Sequence, residues 1–132
     1  MLKISLGFTL LTLLFGAFYR EYTKYLGFDG ATTLSLLHTH TFVLAVIFPL
    51  LFTLITEQLK HTTEELKLSF RTYYIGYTLA ILAMLTRGLM QAQERVLSSG
   101  IDHMVSGVAG LGHVVLAVAF IWIFYKLIKW SK

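Results

Sequence analysis

Polar and apolar residues in this chain separate over long distances: four long apolar runs are divided by short polar stretches. The runs are roughly Ile4–Tyr22, Leu34–Thr56, Phe70–Gln91 and His103–Ile128. A helix crossing a bilayer core needs about 20 mostly apolar residues, and each run is of that order. The connecting stretches "REYTKYLGFDGATT", "EQLKHTTEELKLS" and "AQERVLSSGID" are polar and turn-like, with glycines expected where helices stop. Backbone inside lipid must satisfy its own hydrogen bonds. The pattern therefore predicts an all-α fold, one integral membrane four-helix bundle over residues 1–132. Pro49 should kink the second span near its middle.

Composition supports lipid as the solvent. Of 132 residues, 56% are hydrophobic and 14% are charged, and mean hydropathy is +0.70. A soluble domain of this size could not bury so much apolar surface. Cysteine is absent, which removes disulfides, thiolate metal sites and covalent c-type haem attachment. The net charge of +4 is small, and the lysines gather at span ends. That distribution suits membrane orientation and not nucleic-acid binding.

An even number of spans puts both termini on one side. That side would carry Lys3, Lys60, Lys67, Arg71, Lys126, Lys129 and Lys132, against Arg20, Lys24, Arg87 and Arg95 opposite. The basic excess predicts cytoplasmic termini. Tyr19, Tyr22 and Tyr25 would mark the outer interface, and Tyr73, Tyr74, Trp122, Tyr125 and Trp130 the inner one. A cleaved signal peptide over Lys3 to Ala17 is the rival reading, but "LFGAFYRE" has no clean small-x-small cleavage site.

Candidate chemistry centres on histidine. His61 lies in a polar loop beside Glu64 and Glu65, and His103 lies at the start of the fourth span; solvated or interfacial roles suit both. His38, His40 and His113 fall inside spans, where an ionisable group is costly and usually meets a partner or a cavity. One such histidine would read as a helix-to-helix hydrogen bond. Three at similar depth, about 10–15 Å below the outer helix ends, point to a ligand site. Helix geometry turns His38 and His40 about 160° apart, so both cannot hold one small metal ion. A haem needs one imidazole on each face and a flat slot.

The stretch "SGVAGLGH" offers the slot, because Ser106, Ala109 and Gly110 share the face of His113. Ordinary close packing of small residues between helices is the competing explanation. Propionates would need cations, and Arg87 and Arg20 lie toward the outer helix ends. Their competing roles are an ion pair with Glu21 or Glu94 for Arg87 and interfacial snorkelling for Arg20. No nucleophile–base constellation or phosphate loop appears, so catalysis by the chain alone has little support.

On "FYREYTKYLGF", "TTLSLLHTH", "TRGLMQ" and "SGVAGLGH", the chain resembles an uncharacterised family of small bacterial four-helix membrane proteins. The resemblance implies a multi-pass protein of the bacterial cytoplasmic membrane. "LLHTHTFVLAVIF" is also similar to the second helix of the catalytic subunits of cbb3-type oxidases and nitric oxide reductases. There a histidine followed two residues later by asparagine ligates a low-spin haem b. That alignment puts His38 at the ligand position, with His40 replacing the asparagine. The chain lacks those enzymes' additional histidine cluster, so oxygen or nitric oxide reduction is not implied.

The expectation is a haem-b protein ligated by His38 and His113, with His40 as reserve ligand. It would serve electron transfer, redox or gas sensing, or haem handling, with a redox partner and a possible homodimer. The alternatives are a haem-free assembly protein and a small metal transporter or chaperone.

Overall fold

The computed structural model describes residues 2–96 and 98–132, and they form four helical spans. These are α1 (Leu2–Leu26), α2 (Leu34–Gln58), α3 (Lys67–Ala92, entered through a 3-10 turn at Thr63–Leu66) and α4 (Ser99–Trp130). All four are long and apolar enough to cross a membrane, and each contains or nearly coincides with its expected run. The protein is an all-helical four-span bundle. Leu10, Leu14, Leu54, Leu82, Val114 and Ile121 stay exposed on its outside, as a lipid-facing surface requires.

Helix α1 packs on α2, α2 on α3 and α3 on α4. The α3–α4 pair is the closest. A Cβ on Gly112 would stand 2.7 Å from the Ala80 nitrogen and 3.0 Å from the Gly76 oxygen, so only hydrogen fits there. Phe8 of α1 stacks on Tyr74 of α3 at 5.5 Å. Phe48 and Phe52 of α2 meet Phe120 and Phe124 of α4 edge-on, at 5.1 and 5.5 Å. Threonine hydroxyls inside the spans, including Thr12, Thr56 and Thr78, donate to carbonyls one turn earlier. They need no partner from the surroundings.

The two ends of the bundle are tied differently. At the end carrying the termini, His61 stacks on Trp130 at 4.1 Å and Lys126 donates to the Glu65 carbonyl. At the distal end, Thr32 and Thr33 donate to the carbonyls of Gly88 and Met84, both at 2.8 Å. Gln93 donates to the Tyr22 hydroxyl at 2.6 Å.

Three features add to or depart from expectation. The helices α1, α2 and α3 all end in the same reverse turn, with the left-handed residue being Gly27, Lys60 and Glu94 in turn. Phe28, His61 and Arg95 close these turns by donating to Thr23, Thr56 and Met90. Glycine therefore marks only the first stop, and Gly100 lies inside α4.

Around Pro49, α2 is π-helical over Phe42–Ile47, with the Phe48 N–H reaching back to the Val43 carbonyl. In that register the next donor would be residue 49, and proline has none. The wider turn leaves the Leu44 carbonyl without that backbone bond.

Tyr73 also differs from the expected interfacial belt. It is fully buried, and its hydroxyl reaches Leu44.

Candidate functional site

A groove of about 460 Å³ opens between α2 and α4. His40, Val43 and Leu44 line it from α2, and His113, Ala117 and Phe120 from α4. Toward the end carrying the termini, the contact of Phe120 with Phe48 brings the two helices together. The volume lies within the range of small-molecule clefts, about 300–1,000 Å³.

Both histidines are held in the same way. His40 Nδ1 lies 3.0 Å from the Leu36 carbonyl, and His113 Nδ1 lies 2.7 Å from the Ala109 carbonyl. A carbonyl only accepts, so in each ring Nδ1 carries a proton, which in the neutral tautomer leaves the lone pair on Nε2. Such a bond fixes the tautomer and orientation of a metal-ligating histidine and raises its basicity. Helix α3 braces the α2 wall from behind. Tyr77 donates to Thr41 Oγ1 at 3.1 Å, and Tyr73 donates to the Leu44 carbonyl at 2.6 Å.

His38 lies apart from this groove, against α1, where a Cβ on Gly16 would stand 3.9 Å from its Cβ and Cγ. Among the described residues its buried Nδ1 has no hydrogen-bond partner, and its Nε2 reaches Thr39 Oγ1 at 3.3 Å. The structure thus brings His113 together with His40 and not with His38.

The small residues divide as well. Ala109 lends its carbonyl to His113. Gly110 faces open space, with nothing within 4 Å of an added Cβ. Ser106 is occupied with Arg87, 2.7 Å from its hydroxyl. Ala117, on the same face, lines the groove.

The arginines have carboxylate partners within the chain. Arg87 Nη2 donates to Asp102 Oδ1 at 2.7 Å, so its partner is neither Glu21 nor Glu94. Arg20 pairs with its neighbour Glu21 at 2.6 Å, and both side chains are well exposed.

Sequence reasoning missed the Tyr73 and Tyr77 brace, Phe120, and Asp102 as the partner of Arg87. Among these, Asp102 had a readable signal, since Asp102 and Arg87 both lie near the distal ends of their helices.

Among the described residues no group of three or more His, Asp or Glu could hold a bare metal ion. Two imidazoles, one from each helix, line the same groove among mostly apolar neighbours. No curated protein and no solved structure matches the chain. The family model "Protein of unknown function (DUF2871)" matches residues 1–130, and the chain belongs to that family.

Proposed function

We propose that this protein binds haem b in the groove between α2 and α4, where Nε2 of His40 and Nε2 of His113 would hold its iron, and that it relays electrons within the bacterial cytoplasmic membrane. The observation that carries the reading is the pair of histidines on one groove, each with its Nδ1–H tied to a carbonyl one turn earlier. These bonds stay within each histidine's own helix, so the rings are not spent on joining helices.

Bound haem would supply a one-electron couple. The residues of the chain do the rest. The Leu36 and Ala109 carbonyls orient the rings, and Val43, Leu44 and Phe120 give the groove apolar walls. Iron held by two histidines would be less open to a gas, which favours electron transfer over sensing. Arg87 lines a separate cavity from the histidine groove and Arg20 lies exposed beside Glu21, so neither is assigned to a propionate.

The basic residues favour cytoplasmic termini. A reporter fused after Lys132 should read as cytoplasmic, and an exterior signal would reverse the orientation. The test of the cofactor is the absorption spectrum of the protein purified from haem-replete cells. A low-spin b-type spectrum is expected, and a haem-free protein overturns the proposal.

A further inference from the structure

At the distal end, a second cavity of about 410 Å³ lies between the end of α3 and the start of α4. Arg87, Gln91, Arg95, Ser99, Asp102 and His103 supply its polar lining. Its charge is unbalanced: two guanidinium groups face one carboxylate. Asp102 Oδ1 and Ser106 Oγ engage only Nη2 of Arg87, each at 2.7 Å. The Nε and Nη1 hydrogens of Arg87 have no protein acceptor among the described residues. Gln91 uses its carbonyl oxygen to accept the Thr33 N–H at 2.8 Å, so its amide hydrogens remain to be given. Glu94, the nearest other acid in sequence, lines a separate pocket with Gly27 and Phe28.

We infer that this cavity binds a phosphate oxyanion. Its chemistry suits one: Arg87, Gln91 and Arg95 bring N–H donors to its lining, a net positive charge is left after Asp102 is paired, and planar guanidinium groups bind phosphate through paired N–H donors. Met90 and Val96 complete the lining with apolar surface, and the cavity opens at a helix end where lipid headgroups would lie. The oxyanion can come from an anionic lipid headgroup or from free phosphate. This site is independent of the haem reading and uses none of its residues.

The test compares the protein with Arg95→Gln and with His103→Gln, neither of which disturbs the Arg87–Asp102 pair. Each is reconstituted in nanodiscs of mixed phosphatidylglycerol and phosphatidylcholine, and retained lipid is counted by native mass spectrometry. Thermal stability in detergent is measured in parallel with and without inorganic phosphate. We expect preferential retention of phosphatidylglycerol that falls about tenfold in Arg95→Gln, the scale of one charge-assisted contact. Stabilisation by inorganic phosphate that depends on Arg95, without a lipid preference, would support the same site with a soluble source. Neither response in the parent protein, or responses that both variants retain in full, would overturn it. No readout involves haem, so this result and that for the groove are separable.

Discussion

The Tyr73 hydroxyl donates to the Leu44 carbonyl at 2.6 Å, supplying a hydrogen bond that Pro49 cannot. The π-helical register of α2 sets the next backbone donor at residue 49, where proline carries no hydrogen. Within lipid no water can substitute. Tyr73→Phe keeps the ring and its edge contact with Phe120 at 5.1 Å but strands the carbonyl. It should lower stability by about 1–2 kcal/mol, read by thermal unfolding in detergent. Unchanged stability would mean that the carbonyl finds another donor.

The glycines of α4 should respond in opposite directions. An added Cβ at Gly112 meets α3 backbone at 2.7 Å, whereas one at Gly110 meets nothing within 4 Å. Gly112→Ala must push the closest helix pair apart and should cost about 1–3 kcal/mol. Gly110→Ala should stabilise α4 by about 0.5–1 kcal/mol, because alanine loses less backbone freedom on forming a helix. The reverse order in unfolding temperatures would rule out the packing described for α3 and α4.

Arg87 and Asp102 form a partly buried pair between α3 and α4. Removing one charge leaves the other without its counter-charge near a helix end. Arg87→Leu should therefore destabilise more than the Arg87→Leu/Asp102→Leu double variant. Additive losses in a double-mutant cycle would show that the two charges do not act as a pair.

The spans were legible because lipid imposes a length and an apolar composition that a single sequence displays. The faces of α2 were less so. An α-helical phase carried on from His38 would put Ala45 on its face, but the π-helical turn between them slows the rotation, so residues beyond Thr41 fall behind that phase. That His38 and His40 point far apart was readable. Which of them meets α4 depends on how four helices are arranged around the bundle, and no local pattern states that. The helix stops at Lys60 and Glu94 were hidden as well: both residues take left-handed conformations at about 1–2 kcal/mol each, so their identities do not announce the turns. Arg87 was legible as a charge in need of a partner, whereas the identity of that partner rested on the tertiary fold.

The decisive prediction concerns the histidines. His40 and His113 line one groove, each with Nδ1 tied to its own helix, while His38 lies against α1. If haem b is held as proposed, His40→Ala and His113→Ala should each abolish bis-histidine ligation. Haem content should fall, or the remaining haem should become high-spin with an open axial position. His38→Ala should retain the parent spectrum, since its ring ligates nothing in this arrangement; any loss of stability would reflect packing beside Gly16. The measurement is haem-to-protein ratio and absorption spectrum of each variant purified from haem-replete cells. Loss in His38→Ala with a normal spectrum in His40→Ala would move the ligand two residues and require α2 to turn in the bound state. A normal spectrum and full haem in His113→Ala would remove α4 from the ligand set, and the groove with it.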